Sequence, residues 1–208
     1  MTDAPGADTG VRDPVPPGLR LLVSGADLHA RIESLAGDLR NDYEGRNPVL
    51  ITVLKGATPF LADLVRAAGL DLEVDFMSIS SYGAGQSASG VVRIEKDLST
   101  DIAGRHVIVV EDIVDTGLTL NYLLRVLKAR NPASLEVCSL LDKNVRRIVE
   151  LPISYRGFSI PDEFVIGYGL DYEQKYRNID AIYAVEDVSA LVADPGRFAP
   201  DFFPPEHG

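Results

Sequence analysis

The chain has 208 residues, 46% of them hydrophobic, which is enough for one globular domain with a sizeable core. A formal net charge of −11 argues against a broad nucleic-acid or acidic-membrane binder, because such surfaces need clustered Lys and Arg. The single cysteine, Cys138, allows neither an internal disulfide nor a cysteine zinc cluster, and no apolar run approaches a span of about 20 residues, so a cytoplasmic protein without a membrane partner is expected.

Residues 1–18 are rich in Pro, Gly, Asp and Thr, lack the basic and apolar regions of a signal peptide, and read as a disordered N-terminal tail. The folded domain is expected over 19–193, with 194–208 a Pro-rich C-terminal tail lying over the surface or fraying. Leu28, Ile32, Leu35 and Leu39 recur at helical spacing, and Ser24 with Asp27 three residues on reads as an N-cap, predicting a helix over about 26–43. Residues 48–54 read as a buried strand. Lys55-Gly56-Ala57 turns the chain, and Thr58-Pro59 reads as a cap and first helical proline ahead of a helix over about 60–68. Residues 72–81 read as a strand and 91–94 as its return, with the small, polar stretch 83–90 a loop between them.

Val107-Ile108-Val109-Val110 makes a short apolar strand closed by Glu111 and Asp112. A turn carrying Asp115, Thr116, Gly117 and Thr119 then opens onto a helix over about 120–130. A strand that passes through hydroxyl and glycine residues into a helix N-terminus is an anion site, since free N–H groups and the helix dipole both face the ligand. The neighbouring acids suit a ligand that also carries hydroxyls and a metal. Residues 135–141 read as a strand, 145–160 are ambiguous, and 164–166 and 181–185 read as short strands. This alternation predicts an α/β domain with a mostly parallel central sheet flanked by helices. Ligands of such sheets sit at the carboxyl ends of the strands, so Lys55-Gly56 and Glu111-Asp112 are expected to share one crevice.

The run from Val109 through Glu111, Asp112, Asp115, Thr116, Gly117, Leu118 and Thr119 to Leu120 resembles the phosphoribosyl-pyrophosphate (PRPP) motif of type I phosphoribosyltransferases. Leu54-Lys55-Gly56, Ser80-Ser81-Tyr82-Gly83, Leu141-Asp142-Lys143 and the stretch Ile160 to Tyr172 resemble, within that family, the hypoxanthine (hypoxanthine-guanine) phosphoribosyltransferases. Together the matches cover about Leu50 to Arg177.

The resemblance implies that fold, with a small hood over the purine, and displacement of pyrophosphate from PRPP by a purine nitrogen through an oxocarbenium-like transition state. Glu111 and Asp112 would hold the ribose hydroxyls and Mg²⁺, as acceptors that favour hard cations. Asp115 would be the catalytic base or acceptor at the purine imidazole edge. The amides and hydroxyls of Asp115, Thr116, Gly117, Leu118 and Thr119 would cradle the 5-phosphate; the Leu118 side chain, basic in some members, is given no role. Lys55 and Gly56, after a non-proline cis peptide, would bind pyrophosphate together with Arg177. Ser81 and Tyr82 would form a lid that excludes water. Lys143 would donate to the purine 6-oxo oxygen, Phe164 would stack on the base, and Val165 would read its edge. Asp171 would close the purine side and support a second Mg²⁺. The family also implies a homodimer or homotetramer.

Other readings of the same residues are weaker. Two acids after an apolar run are commonly a solvated strand end, and Asp115 and Thr116 could serve only as a helix cap; joined to one another they point to a ligand, with capping and ligand binding expected together because both use the same N–H groups. Asp115-Thr116-Gly117 also resembles an aspartic-protease triplet, but such sites need two close aspartates, and here a helix follows one. No Gly-x-x-x-x-Gly-Lys-Ser/Thr motif is present. Two alternatives stay open: a nucleotide-sensing regulator of this fold that binds RNA or DNA, and a transferase preferring xanthine or guanine.

Overall fold

The computed structural model describes residues 15–81 and 92–204, and of Ser81 and Val92 the backbone only. Tyr82, the 83–90 loop and residues 1–14 and 205–208 lie outside the described residues, so the lid expectation is placed only by the Ser81 backbone.

The long helix α1 (Gly25–Tyr43) begins where Ser24 accepts from the Asp27 N–H at 3.1 Å, as its sequence predicts, and it buries Leu28, Ile32, Leu35, Ala36, Leu39 and Tyr43. Strand β2 (Val49–Val53) is buried on both faces, and α2 (Thr58–Ala68) follows it. Here the expected cap is corrected: Ala57 is the N-cap, without a side-chain bond, and Thr58 is already helical. Strands β3 (Glu73–Ser81) and β4 (Val92–Lys96) pair antiparallel as the expected hairpin. Strand β5 (His106–Val114) runs past the acids instead of ending at them, because Glu111 pairs with Ser139 and Ile113 with Leu141. Helix α3 (Leu118–Lys128) starts two residues earlier than its sequence suggests, and β6 (Ser134–Asp142) follows. The ambiguous stretch resolves into a single 3-10 turn (Asn144–Arg146) and β7 (Tyr155–Ser159).

The sheet order is β4-β3-β2-β5-β6-β7, parallel except for the edge strand β4. Period-two alternation sorts its residues onto two cores. Leu50, Ile108, Val110 and Leu140 face α1 and α2, whereas Val49, Ile51, Val107, Val109 and Val137 face Leu120, Leu123 and Leu127 of α3. A second, antiparallel sheet joins β1 (Leu19–Val23), β9 (Ile182–Val185) and β8 (Val165–Ile166) in that order and forms the hood. Strand β1 was not expected from the sequence. Short helices α4 (Val188–Ala193) and α5 (Ala199–Phe202) follow β9. Phe198 is buried with Leu19, Tyr176 and Leu191, with Ala199 and Phe202 packed against them, so the segment 198–202 covers the small sheet. Among the described residues no helix is long and apolar enough to cross a membrane.

Gly157 decides how closely β7 approaches β6. A Cβ there would lie 2.2 Å from the Leu140 carbonyl oxygen, which is itself fixed in the sheet. Gly157→Ala is expected to destabilise the protein by about 2 kcal/mol through overpacking, read as a lowered urea midpoint; an unchanged midpoint would show that the strand edge yields freely.

Candidate active site

The parallel strands deliver the sequence-predicted residues to one edge of the sheet. After β2 the Leu54–Lys55 peptide is cis, and Gly56 follows in the turn. A Cβ on Gly56 would lie 1.8 Å from Asp112 Oδ2, so a side chain at 56 is incompatible with the place of that carboxylate. Gly169, which the sequence reading did not assign, performs the same service: at φ 94° its missing Cβ leaves 2.0 Å to the Gly56 carbonyl oxygen. The Lys55-Gly56 turn is therefore clasped between Asp112 and the 167–170 turn.

Two cations converge beside it. Arg177 donates to the Gly169 carbonyl at 2.6 Å and forms an ion pair with Asp171 Oδ1 at 2.7 Å, and its buried Nε has no partner among the described residues. Lys55 Nζ and Arg177 Nη2 both reach Gln174 Oε1, at 3.2 and 3.3 Å. That amide oxygen marks a point where two cations donate to one oxygen. Gln174 was also missed in the sequence, because its role depends on a left-handed backbone, φ 66°, at an otherwise ordinary exposed position.

Because β5 continues to Val114, its adjacent acids face opposite ways. Glu111 lines a small cavity of about 160 Å³ with Asp115, Thr116, Gly117 and Thr119. Asp112 lines a larger one, about 660 Å³, with Asp115, Lys143, Phe164, Val165 and Asp171. Ile113 and Asp115 belong to both walls. In the small cavity Gly117, at φ 81°, is the N-cap of α3, and no side chain caps the helix. The expectation that Asp115 and Thr116 cap it is corrected; Thr116 Oγ1 accepts only a long bond, 3.4 Å, from the Leu118 N–H. The first-turn amides therefore face the cavity without an internal acceptor of any strength, as an anion site requires. The Leu118 side chain is half exposed and lines neither cavity.

In the large cavity Lys143 is only 7% exposed, and its ammonium has no hydrogen-bond partner among the described residues. Phe164 meets Tyr172 edge to face at 5.8 Å. Asp115 keeps Oδ1 buried and without a partner, and its Oδ2 is 3.9 Å from Arg146. Arg146 and Asp162, bonded at 2.8 Å, form part of the wall and were not singled out in the sequence.

Among the described residues no cation acts on Glu111. Burial, and after it the Asp112 charge, push its carboxyl up to about 8. Burial also raises Asp112, with Asp171 adding repulsion, while the Ile113 N–H and Arg177 work in the opposite direction. Among the described residues no three His, Cys, Asp or Glu side chains group closely enough to hold a metal by themselves. The acids do fit Mg²⁺ held jointly with a ligand, since that ion takes one or two carboxylates and completes its shell with phosphate oxygens and water.

A parallel α/β sheet with an uncapped helix N-terminus, unpaired acids and paired cations at its carboxyl edge defines a phosphoribosyltransferase-type crevice. Residues 24–173 match the phosphoribosyl transferase domain family. The hypoxanthine phosphoribosyltransferase of Haemophilus influenzae is 48% identical over 165 residues, covering 78% of this chain and 92% of that one. The crystal structure of a hypoxanthine-guanine phosphoribosyltransferase from Bacillus anthracis superposes with a TM-score of 0.76 at 45% identity, covering 80% of this chain and 98% of that one. The bifunctional protein TilS/HprT of Listeria monocytogenes is 48% identical over 163 residues, and the chain spans a quarter of its length. The chain belongs to the phosphoribosyltransferase family, among the hypoxanthine and hypoxanthine-guanine phosphoribosyltransferases.

The Glu111 shift predicts a pH effect. Above the ordinary value of 4.5 and up to about 8, the folded protein retains a proton that the unfolded chain has released. Its contribution is thus full below that ordinary value and is lost as pH rises through about 8. The urea midpoint of Glu111→Gln, measured against wild type, should gain from about pH 6 to about pH 8.5. An equal difference at both pH values would contradict the assignment.

Proposed function

We propose that the protein transfers the 5-phosphoribosyl group of PRPP to a 6-oxopurine, hypoxanthine or guanine, giving IMP or GMP and pyrophosphate. One observation carries this reading: the large cavity, with Lys143 and Phe164, and the anion cavity at α3 share Asp115 as a wall. A base in the first and a phosphate in the second place the anomeric carbon between them, beside Asp112 and the Lys55–Arg177 pair.

In the proposed reaction the C1–N bond to the purine forms as the C1–O bond to pyrophosphate breaks, and positive charge grows on the sugar. The purine imidazole proton passes to Asp115, whose free Oδ1 can accept it. Lys143 donates to the 6-oxo oxygen, and an adenine amino group would instead meet a like donor. Lys55 and Arg177 take the leaving pyrophosphate, with Gln174 yielding its place to a phosphate oxygen. Glu111 and Asp112 accept from the ribose hydroxyls on the two sides of the strand end. Glu111 and Asp112 would hold one Mg²⁺ together with the substrate, and Asp171 would support a second on the pyrophosphate side. Bound there, Mg²⁺ would supply charge neutralisation for the leaving group.

The direct test is an assay of the full chain with PRPP, Mg²⁺ and each of hypoxanthine, guanine and xanthine. Nucleotide formation from the first two supports the reading. Salt-sensitive RNA or DNA binding in a gel shift, without turnover, would favour a sensing protein instead. Asp115→Asn is expected to fold normally and to lower kcat by about 10²-fold; an unchanged kcat would remove the acid–base role. Lys143→Ala should raise KM for the base by about tenfold while calorimetric PRPP binding stays the same, and equal loss of both would contradict its assignment to the base.

A further inference from the structure

The loop between β6 and β7 touches both halves of the crevice. It begins at Lys143, in the large cavity, whose N–H donates to the Val114 carbonyl at 3.0 Å. Farther along, the Ile148 and Val149 N–H groups converge on the Thr116 carbonyl in the anion turn, at 3.0 and 3.4 Å. The loop has few apolar anchors between these points: Val145 is 74% exposed and Ile148 67%. Its 3-10 turn carries no side-chain cap.

Arg147 supplies the anchor. Its guanidinium donates to Asp142 Oδ1, and the Asp142 side chain is 2% exposed. The Arg147 stem passes 3.2 Å from where a Cβ on Gly117 would stand, so it lies against the anion turn. Asp142 is itself held by strand pairing with Val114 on one side and Ser159 on the other, and its second oxygen forms an ion pair with the half-exposed Arg156 at 2.8 Å. Burying such a pair costs about as much in desolvation as its attraction returns, so it is a poor source of net stability. What it does provide is a fixed distance between Asp142, next to Lys143, and the turn that Thr116 belongs to.

We propose that Arg147, clamped by Asp142, is a positioning residue that couples the base cavity to the anion turn, so that base and phosphate are recognised together. Arg147 lines neither cavity. The inference rests on the phosphoribosyltransferase reading above and adds to it a residue that acts through the loop.

Arg147→Met tests it, because the stem is kept and Asp142 retains Arg156. IMP, which spans both cavities, should bind about tenfold more weakly, whereas inosine, which lacks the phosphate, should change by less than about twofold. KM for base and for PRPP should rise together, with kcat within about threefold of wild type. Arg156→Gln, which removes the outer partner, should leave the IMP affinity as it is. An unchanged IMP affinity in Arg147→Met, or equal losses for IMP and inosine, would overturn the coupling. If Arg147→Met does not fold, Asp142→Asn carries the same expectation, and failure of both to fold would assign the pair to stability and overturn the inference. A wild-type protein that turns over no purine would instead overturn the reading on which this rests.

Discussion

Adjacent residues on a strand point to opposite faces, and that alternation governs how Glu111 and Asp112 can be used. One carboxylate opens onto the anion turn and the other onto the large cavity. A ligand that engages both must cross the end of β5, with one part on each side. A phosphoribosyl group carrying a base has that shape: phosphate at one end, base at the other, two hydroxyls between. The parallel sheet makes the crossing possible, because β2, β5 and β6 all deliver their carboxyl ends to the same edge.

The crevice is charged in a way that the net charge of −11 hides. Lys55 and Arg177 gather round a single amide oxygen, and Lys143 is nearly buried with a free ammonium. Among the described residues Asp115 Oδ1 is an acceptor without a donor, and Glu111 is a desolvated acid without a cation. Groups left unsatisfied at one edge of an otherwise well-packed domain are poised for a ligand that supplies their partners. Preorganisation of this kind lets an acidic protein bind a polyanion locally without a basic surface.

Local signals in the sequence reached far into this structure. The helical spacing in α1, its Ser24 cap and the apolar runs of β2, β5 and β6 appear in the fold as read, because each expresses a period or a cap that tertiary contacts reinforce. Strand β1 escaped notice since its partner β9 lies more than 150 residues away and neither strand alternates clearly. The end of β5 was misjudged because acids read as a boundary, whereas pairing with β6 carries the strand through them. The same holds at the crevice. Asp115, Lys143 and Lys55 were legible as candidates from residue type and motif, and they line or border the crevice. Gly169, Gln174 and Arg147 act through contacts made only after folding; the Gly167-x-Gly169 pair was the one visible hint, since both residues need positive φ.

The central claim is that one ligand bridges the two faces of β5, with sugar hydroxyls on Glu111 and Asp112 and phosphate on the amides of the turn into α3. A crystal structure of the protein soaked with IMP and Mg²⁺ examines this directly. The account predicts the ribose over the end of β5, the phosphate among residues 115–119, and the base between Lys143 and Phe164. A nucleotide seated elsewhere, or one whose phosphate lies at Lys55 and Arg177 with the turn left empty, would contradict it.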